Sequence, residues 1–460
     1  MTSLRHSRKI WPIVVSGAVL SNLLLVGCSS PVTPNPGTLP SSSVANYESL
    51  VYGDNPNYTL AQAMSDNAQL STIAFDGLAF ITGNATADTF FPPGKVADFF
   101  GFQYMRDVDK AGFGHNTTFL TKAATNTLAI LSSEQKSQLV QLATEQVQAY
   151  GDFAYNRLVL INAFRANLEG KIPTGSALNS DRVSSFTSNM YGIDAELSLG
   201  RAEQVGKIIS SFTSEQKSRF DALAFNDSST WPDIAEDESL KKSMTNSEYQ
   251  AVMTYASELF SWYKGGLNAD VYYCPERHGT YFGGFFMKDY PAMGDPNYFI
   301  STTVTGDKGK EFLNILDPAQ RQLITSIIDD QRGDLVELTK TRYAVSEELR
   351  KAQSGGTIDH AKVAALIEHY GALDGSLSAM YASRFAQVNA SLTPSQRATL
   401  VALRDLTTVP ESDYRFATVV ATPTLPDNSF LFGVGDIPSQ AGRFTAPPDF
   451  LIDPAPPAKK

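Results

Sequence analysis

The sequence predicts an all-α protein: two tandem, pseudo-equivalent long αα-hairpin units, internally duplicated, with aromatic, glycine-rich loops. Three observations predict it. Four segments, Leu131 to Lys136, Phe212 to Lys217, Leu316 to Arg321 and Leu392 to Arg397, each read apolar residue, Ser, Thr or Asp, two residues, Gln, base. Between paired segments run amphipathic patterns with a 3.5-residue period. An aromatic segment also occurs twice, Phe99 to Asp107 and Tyr281 to Asp289, with Met105 of the first copy matching Met287 of the second.

The four segments are helix starts. Ser132, Thr213, Asp317 and Thr393 are N-cap residues, and the Gln three positions on closes a capping box by reaching back to the cap's own N–H. Pro318 and Pro394 fall at the first helical position, where the missing N–H has no helical partner to lose. The interval from Gln135 to Gln216 nearly equals that from Gln320 to Gln396, which pairs the starts two by two. In the second interval the expected seams are 324, 328, 331, 335, 338, 342, 345 and 349, then 363, 366, 370, 373, 377, 380, 384 and 388. That alternation of fours and threes marks helices packed nearly antiparallel. Residues 170–175 and 354–356 are the expected turns, and a shorter helix follows each hairpin.

Facing residues in an antiparallel hairpin have a constant sum of numbers. Arg157 stands as far after Gln135 as Arg342 does after Gln320. Asp194 and Asp374 stand that same distance before the closing Gln216 and Gln396. Two equivalent structural ion pairs are therefore expected, Arg157–Asp194 and Arg342–Asp374, which if buried fix register more than they add stability.

The amino terminus is basic, then apolar from Ile10 to Gly27, and ends Leu25-Val26-Gly27-Cys28. A basic head, a short apolar core and a small residue before Cys describe a secretory signal better than a membrane span. The pattern resembles the lipobox of bacterial lipoproteins, which implies lipidation at Cys28. Ser29 after it points to the outer membrane of the cell envelope, with the membrane itself as a partner through the lipid anchor. The expected organisation is signal peptide 1–27, acylated cysteine and tether 28–50, an amino-terminal helix within 51–90 (58–81), unit one 91–226, a connecting helix within 227–272, unit two 273–408, and a proline-rich arm 409–460. A short helix is expected at about 117–130, and Thr245 with Glu248 opens another to about Lys264.

Lys and Arg number 37 against 48 Asp and Glu, a net charge of −11. Losing Arg5, Arg8 and Lys9 with the signal makes it −14, which argues against nucleic-acid partners. Besides Cys28 only Cys274 exists, so packing rather than an internal disulfide must stabilise the fold. No CxxCH occurs, which excludes covalent c-type haem, and the sequence requires no other cofactor.

The four Leu-Ser/Thr-x-x-Gln segments resemble the LTxxQ motif of Spy-like envelope stress proteins. The resemblance covers roughly 131–225 and 316–405 and implies periplasmic helical hairpins, with ATP-independent chaperone action in some relatives and metal sensing in others. Those chaperones are dimers with a basic cradle, whereas this chain is acidic and carries two hairpins covalently.

Two places could carry chemistry. The repeated aromatic segment suggests a ligand cleft between the halves, formed by Phe100, Tyr104, Met105, Arg106, Asp107 and His115 with Phe282, Phe286, Met287, Lys288 and Asp289. Polypeptide or a small hydrophobic ligand suits such a lining. Cys274, Glu276 and His278 supply a thiol, a carboxylate and an imidazole within five residues, an alternative metal or redox site, although Cys and His alone are too few for a closed one. No Gly-rich phosphate loop, HExxH, GxSxG or CxxC pair occurs. The expectation is a binding-type envelope lipoprotein rather than an enzyme, with a purely structural envelope component as a further alternative.

Overall fold

The computed structural model describes residues 64, 66–82, 118–224, 230–272, 306–403, 424–438 and 442–447. Among them the regular structure is helical, without a strand. In chain order the α-helices are α1 Asp66–Thr82, α2 Thr118–Ile130, α3 Ser133–Glu169, α4 Ser180–Ser210, α5 Ser214–Asp221, α6 Glu238–Lys242, α7 Asn246–Lys264, α8 Leu267–Tyr272, α9 Gly306–Ile315, α10 Pro318–Thr325, α11 Ile327–Arg350, α12 His360–Ser391 and α13 Pro394–Leu403. Short 3-10 turns occupy Lys351–Ser354 and Ser429–Phe432. None of the described helices is long and apolar enough to cross a membrane.

Local chemistry sets the helix starts. Capping boxes join Ser132 to Gln135, Thr213 to Gln216, Asp317 to Gln320 and Thr245 to Glu248, and Thr393 and Gln396 exchange the same two bonds. Gly170 and Gly355 end the first arms of the hairpins in the left-handed region, at φ 69° and 73°.

The glutamines do more than cap. Gln216 Nε2 donates to Gln135 Oε1 (2.6 Å) and to Ile130 O (3.0 Å), while Gln135 Nε2 donates to Ser211 Oγ (2.8 Å). In the second hairpin Gln396 Nε2 donates to Gln320 Oε1 (2.7 Å) and to Ile315 O (3.1 Å), and Gln320 Nε2 to Ser391 Oγ (3.2 Å). One amide clasp thus fastens the two ends of each hairpin and the helix entering it, using polar groups that burial would otherwise penalise.

The hairpins meet through their second arms. Tyr191 of α4 lies on Gly371 of α12, and Thr187 lies on Gly375; a Cβ added at Gly375 would collide with Thr187 Oγ1. His360 Nε2 lies 2.7 Å from Glu203 Oε1. All three number pairs sum to 562 or 563, so α4 and α12 run antiparallel. Ser184 Oγ donates to Ala372 O across the same seam (2.9 Å).

Two helices complete the bundles in an exchanged manner. Helix α7 packs on α2 and α3, and α1 packs on α9 and against α10 to α13. The first bundle is therefore α2, α3, α4 and α7; the second is α1, α9, α10–α11 and α12. The expected units, 91–226 and 273–408, left α1 and α7 outside. One continuous apolar core runs through both bundles.

Within the described residues the amino-terminal helix spans Asp66–Thr82, and its expected start at 58 lies outside them. Two details differ from expectation. The first arm of the second hairpin breaks at Ser326 between α10 and α11. The seam of α12 is also shifted. Ile367, Asp374, Tyr381 and Phe385 are buried where 366, 373, 380 and 384 were expected, and those four are half-buried. Helix α12 faces α4 as well as α11, and a glycine-lined contact carries no hydropathy signal.

The close approach is testable. Gly375→Ala should destabilise the chain by about 1–3 kcal/mol through overpacking. Gly333→Ala, where an added Cβ meets open space in α11, should stabilise it by roughly 0.5–1 kcal/mol. Denaturant midpoints of the two variants should move in opposite directions.

Candidate functional site

Each bundle buries an acid that its own helix sequence leaves alone in an apolar run: Asp76 in α1 and Glu258 in α7. Their offset along the chain equals that of Met105 and Met287, and they stand within Thr72-x-Ala74-x-Asp76 and Thr254-x-Ala256-x-Glu258.

Glu258 sits in the first bundle against Arg201 of α4, with Arg201 Nη1 2.6 Å from Glu258 Oε2 and both side chains buried. Tyr150 of α3 lies 3.5 Å from the same guanidinium nitrogen, Tyr255 donates to Gln146 Oε1, and the Arg201 guanidinium stacks 5.1 Å from the Tyr255 ring centre. Burial pushes the Glu258 carboxyl up to about 7, against the lowering pull of Arg201. Burial likewise raises the Tyr150 and Tyr255 hydroxyls. Arg201 stays charged: desolvation pulls its guanidinium down, and the combined negative fields of Glu258, Tyr150, Tyr255 and Asp194 more than offset it.

In the second bundle Gln331 of α11 takes the place of Gln146. It accepts from Tyr381 of α12 and donates to Gln69 Oε1 of α1 (3.0 Å). Burial raises the Tyr381 hydroxyl, helped by the charges of Asp76 and Asp374.

Two arginines cross between the bundles. Arg165 of α3 donates to Phe80 O near the end of α1 and stacks on the Phe80 ring at 5.1 Å. Arg350 of α11 donates to Trp262 O near the end of α7 (3.0 Å) and stacks on Trp262 at 5.5 Å. Each holds the carboxyl-terminal carbonyls of a helix that belongs to the opposite bundle, where a cation also suits the helix dipole. Arg350 additionally forks onto Asp270, with Nε–Oδ2 2.5 Å and Nη2–Oδ1 2.8 Å.

The four residues of the expected ion pairs are all buried. Arg342 Nε donates to Asp270 O (2.9 Å), Asp374 Oδ2 accepts from Tyr191 (3.2 Å), and Asp194 Oδ1 accepts from Ser198 (3.0 Å). The direct pairings Arg157–Asp194 and Arg342–Asp374 stand as expectations. Cys28, the cleft residues Phe100, Tyr104, Met105, Arg106, Asp107, His115, Phe282, Phe286, Met287, Lys288 and Asp289, and the alternative metal set Cys274, Glu276 and His278 lie outside the described residues. Among the described residues no group of three or more His, Cys, Asp or Glu side chains is placed to hold a metal ion. Asp76, Glu258 and Arg201 are not among the residues expected from sequence; the first two carry the signal of a single charge inside an apolar helical stretch, whereas Arg201 stands two residues before Glu203 in a polar one.

This interior can fix register and store a proton near neutrality; walled by packed helices, it is not a substrate cleft. Comparison with protein-family models, with curated proteins and with solved structures finds no match to this chain.

Glu258 gives a pH signature. Its folded value, about 7, is above the ordinary 4.5. The unfolded state therefore releases its proton first, and stability from this group falls as pH rises from about 4.5 to 7, by ~3 kcal/mol in all. Glu258→Gln should remove that slope from a urea-melt series across this window while leaving the slope outside it unchanged.

Proposed function

We propose that this chain is a lipid-anchored binding protein of the bacterial cell envelope, an internally duplicated body whose two aromatic segments engage polypeptide or another hydrophobic ligand. One observation carries the reading. The chain passes from the second bundle to the first between Thr82 and Thr118, and it returns between Lys264 and Leu267, where α8 packs on α11. The first aromatic segment falls in the first passage and the second between α8 and α9, and the ends of α1 and α7 that precede them are gripped by Arg165 and Arg350.

The matched amide clasps, the matched arginine grips and the paired buried acids support descent from one copied unit. That unit is longer than the hairpin alone: α1 to α5 corresponds to α7 and α9 to α13. The Spy-like resemblance enters this reading in altered form. Its glutamines are enclosed in the clasps, and the large hydrophobic residues exposed on the described helices and turns are Val401 and Val434. The reading therefore assigns ligand contact to the aromatic passages and not to an open helical cradle.

Two measurements test it. Cys28→Ser should move the protein from the outer-membrane fraction to the soluble one and abolish palmitate labelling; unchanged fractionation refutes the anchor. Mature protein should suppress aggregation of a reduced client at equimolar ratio. Phe100→Ser with Phe282→Ser should remove the suppression while the helical circular dichroism stays as in the parent. No suppression by the parent protein would sink the polypeptide version.

A further inference from the structure

Part of the proline-rich arm lies along the first hairpin, and the way it is held is unusual for a packed tail. Asn156 of α3 brackets one residue of the arm: its Nδ2 donates to Phe444 O (2.6 Å), and its Oδ1 accepts from Phe444 N (2.7 Å). One turn back, Asp152 Oδ1 accepts from Ala446 N (2.8 Å). One turn further back, Gln148 Nε2 donates to Ala446 O (3.3 Å). Upstream, Leu431 O accepts from Asn179 N (2.9 Å), Gly435 O from Arg182 (2.7 Å) and Thr424 O from Tyr155 (3.0 Å).

On the arm, each of these partners is a main-chain atom. The spacing explains why a helix can do this. Residues four apart in a helix rise about 6 Å, and residues two apart in an extended chain advance about 6.6 Å. Positions 156 and 152 therefore stay level with 444 and 446 as the two chains run in opposite directions. The ladder is also set in advance, since Gln148 Nε2 donates to Asp152 Oδ1 (2.8 Å) and Asn156 Nδ2 to Asp152 O (2.7 Å). Asn156 is fully buried.

Side chains add selectivity at two points. Phe444 meets Phe186 and Phe430, ring centres 6.1 and 6.2 Å away, and Arg443 reaches Glu196 (3.1 Å). The second hairpin lacks the ladder: the offset that carries Gln135 to Gln320 carries positions 148, 152 and 156 to Gly333, Glu337 and Thr341.

We propose that the groove along α3 and α4 is a peptide-binding site that reads the backbone of an extended chain, and that the arm residues 424–438 and 442–447 are its tethered, exchangeable occupant. The ligand class is an extended polypeptide segment with a basic residue, an aromatic one and, two positions on, a small one, as in Arg443-Phe444-Thr445-Ala446. Main-chain recognition makes the site tolerant elsewhere in the sequence, as when a peptide adds to a sheet edge. A tethered occupant competes at high effective concentration, so an incoming segment binds well only when the arm is weakened or the segment abundant. This deepens the binding reading above and rests on it only in taking polypeptide as a ligand; neither the anchor nor the aromatic passages enter.

The test uses the full mature chain and a fluorescent synthetic peptide of residues 438–450. The peptide should bind the Phe444→Ala chain at least about tenfold more tightly than the parent chain, whose own arm competes. Methylating the peptide nitrogen of its Phe444, or adding Asn156→Ala to the chain, should each weaken that binding by roughly tenfold. Absence of binding to a folded Phe444→Ala chain, or indifference to the N-methyl group, overturns the proposal. Should Phe444→Ala fail to fold, hydrogen exchange on the parent chain decides. Excess peptide should accelerate exchange at the amides of Phe444 and Ala446; unchanged rates overturn it. Client suppression that depends on Phe100 and Phe282 can fail independently of this outcome, so the two readings are separable.

Discussion

The close antiparallel seam between α4 and α12 is the constraint on which the rest depends. Gly371 and Gly375 let Tyr191 and Thr187 approach so closely that no side chain fits between. Closeness makes the two second arms one shared wall, and both bundles are built outward from it. Two side-chain hydrogen bonds cross the wall, Tyr191 to Asp374 and Ser184 to Ala372 O. Interiors packed at this density have few alternative registers.

From that wall follows the exchange of α1 and α7. Each helix brings one buried acid into a bundle whose other members come from elsewhere in the chain, and an arginine of the other bundle holds its end. Burying Glu258 with Arg201 is costly, since both charges leave water for a partner that only partly compensates. Such a pair is better understood as a device that rejects wrong docking: a misplaced α7 would leave a guanidinium stranded in an apolar interior. In the second bundle Gln331, Gln69 and Tyr381 form a hydrogen-bonded network in the field of the buried Asp76.

What the sequence disclosed divides along physical lines. Helix starts were legible because a cap and its glutamine act within four residues, and Ser132 with Gln135 needs no distant partner. The hairpin pattern was legible because its seam is mostly large and apolar. The true seam of α12 was not, since Gly371 and Gly375 pack by being small. The exchange was hidden for a different reason: periodicity states that α1 and α7 have a buried face, not which helices cover it. Asp76 and Glu258 were in view as lone acids and signified little until their surroundings were known. Gln148, Asp152 and Asn156 form a polar stripe that reads as a solvated face, and only the arm lying upon it gives the stripe a role. The expected aromatic cleft and the Cys274 set lie outside the described residues, so the binding reading draws on where those segments are attached.

The orientation of α4 against α12 is the most direct thing to measure. With Cys28 and Cys274 replaced by Ser, a chain carrying Glu203→Cys and His360→Cys should accept a short bifunctional maleimide within one molecule, joining peptides of α4 and α12. A chain carrying Asp181→Cys and His360→Cys, whose cysteines sit at opposite ends of the seam about 33 Å apart along the helix, should remain unlinked. Linkage at 181 and 360 with none at 203 and 360 would contradict the antiparallel wall and, with it, the paired bundles built upon it.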